Sequence, residues 1–222
     1  MISLRAGNYL ICFTGVDGSG KTTHAKSLVK FLSNKGFRCS YVWGASRPVL
    51  AYAFFGVTRM LGYWIKTKRN AYTDPLELAP RKVANRLGSV WQGLLFMDFQ
   101  LKTLFKIRLP LVLGRTVVCD RYFYDMLMEL QLSGLSSDKY AKLLSETLPQ
   151  PLVTFMPDAS ENVTAQRRGL SPEELRAKRR AFLRIAERFD CIAIDSSKDF
   201  VTNQDRIRTE TLKRIAHEER NT

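Results

Sequence analysis

The stretch "YLICFTGVDGSGKTTHAK" constrains this chain more than any other. An apolar run ending at Thr14 leads directly into Gly15-x4-Gly20-Lys21-Thr22, and a helix-period segment follows. Glycines let backbone N–H groups turn inward around phosphate oxygens, and a helix N-terminus adds the positive end of its dipole. A loop of this kind follows a strand that is buried on both faces, so the rest of the chain has to supply a sheet around it.

Four further runs fit that requirement. "NYLICFT" (8–14) is joined by "RCSYVW" (38–43), "TVVCD" (116–120), "LVTFM" (152–156) and "CIAI" (191–194). Their near-continuous apolar character predicts strands covered on both sides. Helical periodicity occupies about 21–34, 48–65, 75–108, 122–147 in two pieces, 161–189 in two pieces, and 203–218. Breaks are signalled by "NKG" at 34–36, "SGLSSD" at 133–138 and "PQP" at 149–151. Ser171, Pro172 and Glu174 make an N-cap, N1 and N3 pattern. The expected architecture is α/β: a three-layer P-loop NTPase fold whose parallel five-stranded sheet carries helices on both faces. At 222 residues and 45% hydrophobic, one domain over 1–222 has enough material for a core.

Composition removes several alternatives. The longest apolar stretch, "PVLAYAFFGVTRMLGYWI", is interrupted by Arg59, which argues against a membrane span. "MISLRAGNYLICFTG" meets the glycine motif too early for a cleavable signal, so a cytoplasmic protein is expected. Cys12, Cys39, Cys119 and Cys191 lack metal-ligand spacing and read as small apolar-run residues in a reducing compartment. The formal net charge of +14 favours anionic partners without choosing among nucleotides, nucleic acid and acidic membrane.

The loop residues Gly15, Val16, Asp17, Gly18, Ser19, Gly20, Lys21, Thr22 and Thr23 are the candidate ATP cradle. Lys21 would reach the β/γ-phosphates, and the Thr22 hydroxyl would ligate Mg²⁺. Asp120, closing "TVVCD", is placed to hold the same metal or its waters. Arg121 follows, where a water-activating ATPase would want a second carboxylate. Its planar fork suits a second phosphoryl group. No NKxD-type guanine reader follows. These residues point to a phosphotransferase that excludes water.

Together they resemble the thymidylate kinase family of nucleoside monophosphate kinases, over most of the chain. "GVDGSGKTT" resembles that family's phosphate loop, and "VVCDRY" its Asp-Arg-Tyr motif. "LLFMDFQ" (94–100) is similar to its leucine-leucine-phenylalanine segment, "QRRG" (166–169) to the start of its lid, and "AIDSS" (193–197) to its adenine-side loop. The resemblance implies that Asp17 lies against the acceptor sugar and that Phe96 stacks on the acceptor base. A core aromatic at helical spacing is the competing role for Phe96. Gln100 stands where the family has a base-reading arginine. As i+4 from Phe96 it keeps the position and changes the chemistry. Asp125 stands where the family has serine. "GASRP" replaces an Arg-Glu-Pro-Gly loop, leaving Arg47 as candidate clamp for the acceptor phosphate or as a surface arginine.

No basic residue occupies the variable loop positions, so charge on the transferred group needs stabilising from elsewhere. Seven basic residues lie between 167 and 184, and Arg167 and Arg168 sit at the hinge of an expected mobile lid, about 163–180. A solvated basic helix face is their alternative. The reading is therefore ATP- and Mg²⁺-dependent phosphoryl transfer to a nucleoside monophosphate, dTMP first, in a homodimer of the kind the family forms. Its rivals are a nucleoside kinase of the same fold and a P-loop binding module for nucleic acid or a partner. Membrane-surface attachment is not favoured.

Overall fold

The computed structural model describes residues 7–44, 53, 93–132, 138–158 and 172–221. Five strands, β1 (Leu10–Phe13), β2 (Cys39–Trp43), β3 (Thr116–Asp120), β4 (Val153–Asp158) and β5 (Ile192–Asp195), form one parallel sheet in the order β2-β3-β1-β4-β5. All five expected runs are strands, with ends within two residues. β1 and β3 are buried along their whole length, as runs apolar on both faces require. The edge strands β2 and β5 are only partly covered.

The two-residue period of the strands sorts the core into two layers. Ile11, Phe13, Val118 and Phe155 pack with Ala25, Leu28 and Leu32 of α1 (Lys21–Asn34) and Ile207 and Ile215 of α6 (Phe200–Asn221). On the other face, Leu10, Cys12, Val117 and Cys119 meet the remaining described helices: α2, described from 93 onward, α3 (Phe123–Leu132), α4 (Asp138–Thr147) and α5 (Pro172–Arg188). Cys12 and Cys119 are register partners on β1 and β3, and both are fully buried. Cys39 and Cys191 are half-buried, and Cys191 lies just before β5 rather than in it.

α2 runs further than its sequence suggests. Helix over 93–103 widens into a π turn at Leu104–Arg108 and regains α geometry at Leu109–Val112. Pro110 has no N–H to give and crowds the preceding turn. The wider turn, in which Leu109 N–H bonds Leu104 O, carries the helix past it. Apart from Ala53, the segment 48–65 lies outside the described residues.

Candidate functional site

Because all strands are parallel, their carboxyl ends share one edge, and the glycine loop, Asp120 and Arg121 gather there. β1 ends at Phe13, the loop turns through Gly15, Gly18 and Gly20, all at positive φ, and α1 begins at Lys21. A Cβ on Gly15, at φ 130°, would stand 3.1 Å from Pro157 O, so the loop closes against β4 only without one. Gly20 caps α1 in left-handed geometry with no side-chain cap, leaving first-turn N–H groups for an anion. Ser196, after β5, donates to Ser19 O at 3.2 Å and pins the outer side of the loop.

Lys21 is buried and folds back over the loop. Its Nζ donates to Gly15 O and Val16 O, both at 2.7 Å. Thr22, one residue on, donates to Asp120 Oδ2 at 2.5 Å. Tyr41 of β2 donates to the same oxygen at 2.9 Å. That bond to Asp120 is a secondary reason, after burial, that the phenol titrates above its ordinary range. Among the described residues, Asp120 Oδ1 is buried with no partner, as is Ser19 Oγ in the loop. An orphaned carboxylate oxygen beside a threonine hydroxyl suits a hard cation that draws its remaining ligands from water and phosphate. Among the described residues, no group of three or more His, Cys, Asp or Glu is placed to hold a metal ion.

Arg121 follows in left-handed geometry, φ 73°, with its N–H bonded to Phe13 O at 2.8 Å. Gly44 accommodates that turn: a Cβ there would stand 1.9 Å from Arg121 O. The guanidinium faces two carboxylates. Nη2 contacts Asp17 Oδ1, and Nη1 meets Asp125 Oδ1 at 3.2 Å. Asp17 Oδ1 also lies 3.7 Å from Lys21 Nζ, so one anionic oxygen spans the two cations. Asp125 is buried and accepts from the Thr14 hydroxyl at 2.8 Å. Burial pushes its carboxyl up, while Arg121, Lys21 and Thr14 pull it down.

The other expected residues are placed less directly. Phe96 is half-buried against the core of the α2–α5 face. Gln100 donates its amide to Thr147 Oγ1 at 2.7 Å, and Thr147 passes its proton to Leu143 O. The amide thus ties α2 to α4. Arg47, Arg167 and Arg168 lie outside the described residues, as does the 163–171 part of the expected lid. Its remainder, 172–180, is the first half of α5. There Leu175 is buried and Arg179 grips Asp158 of β4 through two bonds, at 2.8 and 2.7 Å.

Tyr41 was missed by motif reasoning. Its place in the site comes from the pairing of β2 with β3, which no local pattern announces. Lys26 Nζ lies 5.6 Å from the centroid of its ring. His24, a further α1 residue, is buried between Gln204, 2.6 Å from its Nδ1, and the Phe200 ring. It joins α1 to α6 beneath the loop.

No protein-family model matches the sequence. Comparison with characterised proteins does find relatives. A thymidylate kinase of Caenorhabditis elegans is 30% identical over 166 residues, covering 75% of this chain and 70% of that protein. A probable thymidylate kinase of Pyrococcus horikoshii is 28% identical over 191 residues, covering 82% and 84% respectively. Among solved structures, a thymidylate kinase of Ehrlichia chaffeensis superposes with TM-score 0.56 at 18% identity, over 93% of this chain and 98% of that one.

Proposed function

The chain belongs to the thymidylate kinase family, a phosphotransferase of the nucleoside monophosphate kinase kind, and from that premise we propose that it transfers the γ-phosphoryl group of ATP to dTMP. The observation that carries this reading is the bridge made by Asp17 Oδ1. One anionic oxygen that touches Arg121 and lies 3.7 Å from Lys21 bridges the two cations, as a phosphoryl oxygen between donor and acceptor would.

The chemistry is mostly placement. The Gly15–Thr23 cradle and Lys21 hold the triphosphate, and Arg121, with Arg47, holds the acceptor phosphate. An oxygen of that acceptor phosphate forms the new bond to the γ-phosphorus, and the bond to the β,γ-bridging oxygen breaks, releasing ADP. The nucleophile is already an anion, so no general base is required. Thr22 and Asp120 would hold Mg²⁺, which when bound supplies charge neutralisation at the β/γ-phosphates. Arg167 and Arg168, in a lid at about 163–180, close over the transferring group.

Phe96 and Gln100 receive the acceptor base in this proposal. An amide offers thymine or uracil one donor and one acceptor. The reading is tested by ATP consumption with Mg²⁺ against dTMP, dUMP, dCMP, dAMP and dGMP. dTMP or dUMP is expected to lead, with dCMP trailing about 10–100-fold. Purine monophosphates as best acceptors would overturn the pocket. No turnover together with tight, salt-sensitive oligonucleotide binding would return the protein to the binding-module reading that its +14 charge allows. A nucleoside acceptor would want a base near the end of β2, and the described residues there, Tyr41–Gly44, include no carboxylate.

A homodimer completes the proposal. α2 turns Met97, Leu101, Leu104, Phe105, Leu109 and Val112 outward, with Val112 80% exposed, a continuous apolar stripe that a second copy would cover. Leu104→Glu combined with Phe105→Glu should halve the mass seen by light scattering, and an unchanged mass would place the contact elsewhere. No helix among the described residues is long and apolar enough to cross a membrane. We place the enzyme in the cytoplasm.

A further inference from the structure

Arg121 is held from two sides, and the two sides differ. Asp17 approaches Nη2 from the phosphate loop and is 37% exposed. Asp125 approaches Nη1 from α3 and is 10% exposed. Being the more exposed, Asp17 has room to give up Nη2 to an incoming anion, and Asp125 does not.

Asp125 is itself fixed. Its second oxygen accepts the Thr14 hydroxyl at 2.8 Å, and its N–H bonds Tyr122 O at 3.1 Å as α3 begins. Thr14 is fully buried in the turn from β1 into the phosphate loop, and its N–H bonds Phe155 O at 2.9 Å. A chain of three residues therefore runs from the central strand to the guanidinium. It joins the segment carrying the donor loop to the cation facing the acceptor. Burying a carboxylate is costly, and a serine or alanine would fill this position more cheaply, so the charge needs a purpose.

We propose that Asp125 is the positioning residue of the acceptor site: it holds Arg121 by Nη1 so that Nη2 is turned to the acceptor phosphate when Asp17 yields. This rests on Arg121 being the acceptor clamp. In a left-handed residue at a strand end, the backbone alone does not aim a long, flexible side chain. With Asp125 in place, the guanidinium loses little freedom when the phosphate binds, and affinity gains accordingly. The effect falls on acceptor binding and leaves the ATP side alone.

The test is steady-state kinetics with dTMP as the varied acceptor, together with a crystal structure of the variant. Asp125→Asn is expected to raise acceptor KM about tenfold, the loss of one charged hydrogen bond, with the KM for ATP within about twofold of wild type by the same reasoning. In an Arg121→Ala background the same substitution should change acceptor KM no further, because the group it positions is gone. Equal losses in both backgrounds would overturn the proposal, as would an Arg121 guanidinium unmoved in the variant structure. If the wild type turns over no mononucleotide, the acceptor assignment fails on its own terms, and the position of Arg121 in the variant crystal still decides whether Asp125 holds it. Should Asp125→Asn not fold, Thr14→Val removes the brace without touching the charge. About a threefold rise in acceptor KM is expected from that weaker, neutral bond, and no rise at all would refute the chain.

Discussion

The two sides of the proposed site, donor and acceptor, are built from different materials. The donor side is mostly main chain: three left-handed glycines, the first turn of α1, and Lys21 bonded to loop carbonyls. The acceptor side is mostly side-chain charge, with Arg121 shared between Asp17 and Asp125 and Gln100 spent on Thr147. A main-chain cradle serves any triphosphate and tolerates little change. A side-chain constellation can be re-aimed by one substitution.

The contrast can be broken most forcefully on the donor side. Lys21→Ala is expected to reduce kcat more than about a hundredfold, the scale of losing a preorganised charge at the reacting group. The protein should still fold, since the bonds from Lys21 Nζ to Gly15 O and Val16 O lie within the loop. A variant retaining full activity would remove the donor assignment. Arg121→Ala should act more narrowly, raising acceptor KM tenfold or more, about the 1.5–3 kcal/mol of a charge-assisted bond. An unchanged acceptor response would reduce Arg121 to a brace between strand ends.

A finer test uses pH. Burial raises the Asp125 carboxyl against the pull of Arg121, Lys21 and Thr14, with Asp17 and the Cys12 thiol as the nearby acidic groups. The folded chain thus binds this proton more tightly than the unfolded chain. The group's contribution to stability is present in acid and lost as pH rises through its folded pKa. Asp125→Asn should therefore melt no lower than wild type at neutral pH even while acceptor KM rises, a trade of stability for function. A markedly lower Tm at pH 7 would make the residue structural.

The smallest expected effect separates two roles for Gln100. Thr147→Val removes the hydroxyl that holds its amide. If the amide only ties α2 to α4, stability falls by about 1 kcal/mol and the ranking of dTMP over dCMP stays put. If it reads the base, freeing it alters that ranking, measurable as a ratio of kcat/KM values.

The same division governs what the sequence could disclose. The five strands are apolar on both faces, and the loop is a fixed spacing of glycines, lysine and threonine, so both are legible as local patterns. Asp120 and Arg121 were legible because they close a strand. Tyr41 was not, because its bond to Asp120 joins two strands and depends on register. The tie between Gln100 and Thr147, 47 residues apart, likewise belongs to how α2 and α4 pack. The continuation of α2 beyond Pro110 escaped notice because a proline ordinarily ends a helix, and only the widened turn evades that rule.

The side-by-side thiols of Cys12 and Cys119 give the molecule an internal clock. Both lie at 0% exposure on adjoining strands beneath the donor loop, whereas Cys39 and Cys191 are half-buried nearer the rim. An alkylating reagent should therefore modify the chain in two phases. The slow phase can proceed only when β1 and β3 part, so its rate measures how often the centre of the sheet opens. A nucleotide that binds only the closed sheet slows that phase in proportion to its occupancy. Donor affinity could then be read by mass spectrometry from two sulfur atoms that never touch the ligand.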